Sequence, residues 1–327
     1  MNLKFWKRSD PGPGPGDEGW EKSLVDRVVM ESLREQRRGR RWGIFFKLLG
    51  FAYLIALLVM LWPDDVMKGV KTADEHTAVI DVKGIIAPGT QAGADDVVTA
   101  LRKAYEDDNT KGIVLRINSP GGSPVQAGYI NDEIRRLRKK HEDIPVYAVV
   151  ADLCASGGYY IAVAADEIYV NKASLVGSIG VRIDSFGFEQ AMAELGIERR
   201  LLTAGENKGI LDPFSPLPEE QREFLESMLE QIHQQFIGVV KESRGDRLKG
   251  GDALFSGLIW TGEESLKLGL ADAVGSTGYV AREIIGAEKT VEFTAEKDLL
   301  ERLVDRLGRA GARALLELSG SGYPMLR

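Results

Sequence analysis

A run of twenty residues, Gly43 to Trp62 (GIFFKLLGFAYLIALLVMLW), constrains this chain more than any other feature, because it carries a single charge, Lys47, near its start. Coiled as a helix, such a run is about 30 Å long, which is the hydrocarbon thickness of a bilayer. Trp42 and Trp62 bracket it as interfacial residues, and Lys47 lies close enough to one end to extend its ammonium into water. A buried core helix is the competing reading. Arg37, Arg38, Arg40 and Arg41 precede the run, whereas Asp64 and Asp65 follow it. Positive flanks stay on the cytoplasmic side, so the N-terminus is expected inside and everything beyond Pro63 outside. The run starts too late for a cleaved signal peptide and no small-residue cleavage site follows, so residues 43–63 read as a retained signal anchor.

That anchor divides the chain. Residues 1–42 form a cytoplasmic tail in which Pro11–Gly16 (PGPGPG) is an extended linker without a core. Residues 64–75 are a linker, 76–290 an exported domain, and 291–327 a tail with Leu299, Leu300, Leu303, Leu307, Leu315 and Leu316 at helical spacing. Overall the 327 residues carry a net charge of −7, with no long basic run past residue 41, which speaks against nucleic acid as a partner. A lone cysteine, Cys154, excludes an internal disulfide and a thiolate metal site. His76, His141 and His233 lie far apart with no paired spacing, which argues against a zinc enzyme. The exported part must therefore rely on its apolar core, and 44% hydrophobic residues suffice for one.

Within the exported part, short apolar runs alternate with amphipathic ones. Strands are expected over Thr77–Val82, Gly112–Ile117, Pro145–Ala151 and Glu167–Val170. Helices are expected over Asp95–Tyr105, Ala127–Lys140 and Ser156–Ala165. Strand and helix in alternation mean βαβ units and a mostly parallel sheet. A long helix follows over Pro218–Glu242, then two short ones near Gly262–Leu268 and Gly278–Ile285. No internal repeat is evident.

Two glycine-rich segments stand at strand ends: Asn118-Ser119-Pro120-Gly121-Gly122-Ser123 and Ala155-Ser156-Gly157-Gly158-Tyr159-Tyr160. Paired glycines there let a ligand approach exposed backbone N–H groups, at the strand ends where α/β proteins place their sites. Tight turns or phosphate binding are the plainer readings, but neither GxGxxG nor GxxxxGK[ST] is present. Ser156 would stand at a strand-to-helix turn, where a helix N-terminus favours developing negative charge. The N–H of Gly157, with that of Gly121 or Gly122, could form an oxyanion hole for acyl transfer.

A serine needs a base. His233, in EQIHQQF, reads as a solvated helix residue, and His141 ends a charged helix, so a Ser–His–Asp triad has little support. The alternative is lysine, which at an ordinary pKa near 10.4 is neutral in only about one molecule in a few thousand at pH 7 and so needs an apolar setting. Lys208, in TAGENKGILDPF, has Gly205 and Gly209 beside it and Ile210-Leu211 after it. Lys172, Lys241, Lys249 and Lys267 sit in charged or turn contexts and read as surface residues.

NSPGGS (118–123), ASGGYYIA (155–162), GSIGV (177–181) and AGENKGILDPFSPL (204–217), in that order behind one apolar span, resemble the signal peptide peptidase A family over roughly residues 75–290. The resemblance implies an α/β fold of the crotonase/Clp-protease type, with repeated ββα units and a mostly parallel sheet, behind one transmembrane helix. It implies a serine endopeptidase with Ser156 as nucleophile, Lys208 as general base and Ser178 orienting the lysine. Gly121 and Gly122 match the oxyanion loop, joined by Gly157. Tyr159 and Tyr160 read as packing residues, and Asn118 as a brace for the glycine loop.

No metal or cofactor is called for. The implied substrates are remnant signal peptides and other apolar or unfolded segments at the outer face of a bacterial inner membrane. The single-copy length implies a homo-oligomeric ring with sites shared between subunits. A related inner-membrane peptidase with other substrates is the nearest alternative. An enzyme of acyl-CoA thioesters fits poorly with an outward-facing domain, and an inactive scaffold of the same fold fits poorly with Ser156 and Lys208 both present.

Overall fold

The computed structural model describes residues 20–60 and 74–294. The chain divides into two compact units, Met1–Lys71 and Thr72–Arg327. In the first, α1 (Trp20–Met60) takes up the arginine cluster and most of the apolar run, with Trp42 stacked on Phe46 at 5.7 Å. Phe45, Leu48, Phe51 and Leu54 are all more than half exposed. No helix among the described residues is long and apolar enough to cross a membrane. Residues 61–63 of the expected anchor lie outside the described residues, as do the tail leucines from Leu299 onward.

In the second unit the alternation of strand and helix is realised. β1 (His76–Lys83), β2 (Thr110–Ser119) and β3 (Val146–Ala155) pair in parallel, with Ile80 opposite Leu115 and Leu115 opposite Ala148. α2 (Ala94–Glu106) and α3 (Pro124–Lys140) connect them. These strands are nearly continuous apolar runs because both faces are covered. Ile80, Val82, Ile113, Leu115, Ile117 and Val150 share a core with Val97 and Leu101 of α2 and with Ile130, Ile134 and Leu137 of α3. On the other face Val79, Val114 and Val149 pack with Tyr169 and Val280. α3 starts sharply: the Ser123 hydroxyl accepts from the N–H of Gln126, and Pro124 occupies the first turn, where its missing N–H costs nothing.

α4 (Gly157–Ala162) follows β3 and is shorter than the expected helix over Ser156–Ala165. β4 (Glu167–Val170) pairs with β3 at Tyr147–Val149, and β5 (Leu175–Gly177) takes over the same edge at Leu153–Ala155. β6 (Ile259–Thr261) closes on β5 as the antiparallel member, β7 (Ala273–Val274) adds to β4, and β8 (Thr290–Glu292) adds to β1. The four strands β5 to β8 escape a sequence reading because two or three residues are too few to show a period of two. The observed order is single strands alternating with helices through α4, in a sheet that is parallel except at β5–β6.

From residue 181 to 218 the chain changes character. It holds one short helix, α5 (Glu189–Glu194), and no residue in this stretch is buried. It returns through α6 (Glu219–Arg244), in which only Phe236, Ile237, Val240 and Arg244 are buried, all in the second half. Arg244 locks that end: it donates two hydrogen bonds to the Asp272 carboxylate, at 2.8 and 2.9 Å, and one to the Gly269 carbonyl. Beyond α7 (Gly262–Lys267), the expected helix near Gly278–Ile285 appears as a turn, Thr277–Tyr279, continued by a wide π-helical stretch, Val280–Ile285.

Candidate active site

Ser156 leaves β3 with φ 51° and ψ −120°, a conformation that a residue with a Cβ adopts only at a cost of about 1–3 kcal/mol. Its neighbours hold it there. The Ser156 N–H donates to the Gly177 carbonyl at 2.8 Å, and the Ser156 carbonyl accepts from the N–H of Tyr160 at 2.9 Å as α4 begins. The bend turns the side chain out of the sheet at the N-terminus of a helix.

The other glycine loop is pressed against this bend. A Cβ on Gly121 would lie 2.7 Å from the Ser156 Cβ and 2.8 Å from the Gly157 nitrogen. A Cβ on Gly122 would lie 2.1 Å from the Ile86 carbonyl oxygen, because Ile86 and Gly122 form a parallel bridge. Both have positive φ, 97° and 154°, so only glycine suits the approach. A Cβ on Gly157 would in turn lie 3.3 Å from the Gly122 nitrogen.

The three amides differ in what they are free to do. The Gly121 N–H donates to the buried Ser119 hydroxyl at 3.1 Å, and that hydroxyl donates to the Gly84 carbonyl at 2.6 Å. The N–H groups of Gly122 and Gly157 have no acceptor among the described residues. Gly121 therefore shapes the loop, whereas Gly122 and Gly157 present donors.

Ser178 occupies the equivalent place on the next strand. Ala155 pairs with Gly177, so Ser156 and Ser178 are each the residue after a paired position on adjacent parallel strands. Ser178 also has positive φ, 52°, and its N–H donates to the Leu258 carbonyl at 2.7 Å. Gly177 has to be glycine, since a Cβ there would lie 2.7 Å from the Trp260 ring.

Lys208 stands apart from this cluster. It is exposed in a turn, its N–H donating to the Gly205 carbonyl at 3.1 Å, and no hydrogen bond or ion pair joins its ammonium to Ser156 or Ser178. The structure thus brings Ser156, Ser178, Gly121, Gly122 and Gly157 together and leaves Lys208 on the exposed stretch.

Other residues take defined places. Tyr159 is fully buried and donates to the Leu270 carbonyl at 2.8 Å, and burial pushes its hydroxyl pKa far up. Tyr160 packs its ring 5.1 Å from Phe236. Burial likewise pushes the Cys154 thiol up, so it stays protonated beside the site. Asn118 does not brace the glycine loop with its side chain: its amide donates to Asp152 at 2.9 Å, while its carbonyl accepts from Gly84. A cavity of about 640 Å³ lies elsewhere, lined by Val149–Asp152 and Val274–Thr277, and does not include Ser156.

His233 overturns the expectation of a solvated helix residue. Its side chain is 23% exposed, and its Nε2 lies 3.2 Å from the Ile179 carbonyl, one residue beyond Ser178. The readable signal was that His233, Phe236, Ile237 and Val240 fall at i, i+3, i+4 and i+7, the apolar stripe of α6.

A parallel α/β sheet with a strained serine at a strand-to-helix turn, facing unpaired glycine amides, defines the class of hydrolases that work through an activated serine. The family model for peptidase family S49 matches residues 138–292, a stretch that includes Ser156, Ser178 and Lys208. The chain is 31% identical over 218 residues to a putative protease of Synechocystis sp., covering 66% of this chain and 74% of that protein. It is 28% identical over 204 residues to a putative signal peptide peptidase SppA of Enterococcus faecium, covering 60% and 59%. It is also 42% identical over 209 residues to a Na(+)/H(+) antiporter NhaA of Brucella abortus, covering 64% of this chain and 28% of that protein. The chain belongs to peptidase family S49. It spans just over a quarter of the antiporter's length and about three fifths of the Enterococcus protein's.

Proposed function

We propose that this protein is a membrane-anchored serine endopeptidase with a Ser156–Lys208 dyad, on a fold of the crotonase/Clp-protease type. The observation that carries this reading is the bend at Ser156, strained to positive φ and set against the unpaired N–H groups of Gly122 and Gly157. Neutral Lys208 accepts the Ser156 proton as Oγ attacks the substrate carbonyl carbon. The resulting oxyanion accepts hydrogen bonds from Gly122 and Gly157. Collapse breaks the peptide C–N bond, and the lysine passes its proton to the leaving amine. Water then attacks the acyl-enzyme while Lys208 takes its proton, and Ser156 recovers a proton as the acid leaves. Ser178 orients the lysine.

Lys208 reaches Ser156 in an assembly. One copy's exposed stretch, with Phe186, Leu195 and Leu202 at 76%, 74% and 95% exposure, packs on a neighbouring copy and delivers Lys208 to that neighbour's Ser156 in a homo-oligomeric ring. Burial of those apolar side chains drives the association. The apolar run over residues 43–63 serves as the anchor, with the N-terminus cytoplasmic and the domain periplasmic, a reading supported by the Arg37–Arg41 cluster before the run and by the exposed Phe45, Leu48, Phe51 and Leu54. Substrates are remnant signal peptides and other apolar or unfolded segments at the outer face of the inner membrane, in keeping with the name of the Enterococcus relative.

The test uses full-length protein in detergent with an unfolded protein and a fluorogenic peptide ending in small apolar residues. Wild type cleaves, while Ser156→Ala and Lys208→Ala are inactive and keep the wild-type assembly size. Retained cleavage by Lys208→Ala overturns the dyad, and a monodisperse active monomer overturns the shared site.

A further inference from the structure

The exposed stretch carrying Lys208 has two roots in the sheet domain, and His233 joins them. The outgoing root is the turn after β5. Ser178 is held by its N–H on the Leu258 carbonyl, Ile179 is fully buried, and Gly180 lies against Gly257, where a Cβ would come within 3.3 Å of the Gly257 Cα. After Ser178, the next backbone N–H to donate a hydrogen bond among the described residues is that of Phe188, to Pro213, and both belong to the exposed stretch itself. The Ile179 carbonyl is therefore the last point at which the departing chain is tied to the domain.

The returning root is α6. Its first half has no buried residue, and Phe236 is the first side chain to enter the core. His233 is one turn ahead of Phe236, at the border between the projecting and the packed halves. Its Nε2 lies 3.2 Å from the Ile179 carbonyl, an acceptor only, so the proton sits on Nε2. Nδ1 faces the Glu230 carboxylate at 4.0 Å. A donor supplied by the returning helix thus meets the last fixed carbonyl of the departing turn.

We infer that His233 is a positioning residue: it pins the two roots together and, through the Ile179 carbonyl, holds the Ser178 turn beside Ser156. This inference rests on the Ser–Lys peptidase reading for its effect on catalysis, but the pin itself is a property of the turn. A hydrogen bond of this kind shifts a local opening equilibrium by about five- to tenfold. The turn it holds is where Ser178 has to stay in the positive-φ conformation at φ 52°.

The experiment compares full-length wild type, His233→Leu and His233→Gln in detergent, by amide hydrogen exchange at Ser178 and by peptide hydrolysis. Leucine keeps the apolar packing and removes the donor; glutamine restores an N–H donor without the ring. His233→Leu exchanges the Ser178 amide about five- to tenfold faster than wild type. Its kcat falls by a similar factor, with KM moving less than about twofold, because substrate contacts are untouched. His233→Gln returns both values most of the way. Wild-type exchange in His233→Leu overturns the pin, and so does His233→Gln behaving like His233→Leu. Faster exchange with unchanged kcat overturns the link to Ser178. If wild type hydrolyses nothing, the peptidase reading fails while the exchange comparison still decides the pin.

Discussion

The sheet domain around Ser156 and the stretch from 181 to 218 are built on opposite principles. Around Ser156 the close approaches are fixed: glycines at 121, 122 and 177 admit no side chain, and strand pairing sets Ser156 beside Ser178. The stretch bearing Lys208 buries nothing and exposes Phe186, Leu195 and Leu202. One chain thus completes the surroundings of Ser156 but not those of Lys208. Within a single copy Lys208 is exposed, and no hydrogen bond joins it to Ser156 or Ser178. The difference teaches that the preorganised surroundings of Ser156 and the exposed apolar surface around Lys208 belong to two separate regions of the same chain.

The sharpest break of that comparison is at the bend. Ser156→Ala should lower cleavage by about a thousandfold or more while leaving the unfolding midpoint within about 1 kcal/mol of wild type. A variant that loses stability instead makes Ser156 a structural residue. Next comes the lock that anchors α6: Arg244→Leu leaves the Asp272 carboxylate without its buried partner, and urea unfolding should show a loss of about 3–5 kcal/mol. At the glycine loop, Gly122→Ala forces the new methyl onto the Ile86 carbonyl and should cost about 2 kcal/mol together with most of the activity.

Acid tests the same rigid region more gently. The Glu133 carboxylate is held down to about 2 by hydrogen bonds from Arg136, against a burial that opposes ionisation, and by Arg102. A carboxyl whose folded pKa is depressed stabilises fully above its ordinary value, about 4.3, and loses that contribution as pH falls toward the folded value. Urea midpoints for wild type should therefore drop between about pH 5 and about pH 2, and Glu133→Gln should flatten part of that drop. Parallel curves would remove Glu133 from the account. The smallest effect belongs to the exposed stretch: Leu202→Ser should change domain stability by less than about 0.5 kcal/mol, yet reduce assembly size by light scattering. A large stability loss there would mean that the stretch packs within its own copy.

Much of this was legible from residue order. The strands with both faces covered announced themselves as apolar runs, and Glu167–Val170 has the expected ends. Others run longer: β3 extends to Ala155, past the expected Ala151, because β5 takes over its edge where β4 stops. That relay depends on a partner distant in sequence, which no local period reveals. The glycine pairs were legible as sites of close approach, but their division of labour was not. Ser119, reaching from within the same loop, occupies the Gly121 N–H and leaves Gly122 and Gly157 as the donors.

His233 marks the boundary most clearly. Its place on the apolar stripe of α6 is present in the spacing, yet its partner is the Ile179 carbonyl, 54 residues away. Helix, strand and turn preferences act over a few residues, so the bend at Ser156, the loop glycines and the alternation of elements could be read from order alone. Which amide is spoken for, which serine stands beside Ser156 and which side chain joins the two roots depend on strand register and helix docking. Those are set by burying apolar faces against one another, a condition on the whole chain that no short segment satisfies alone.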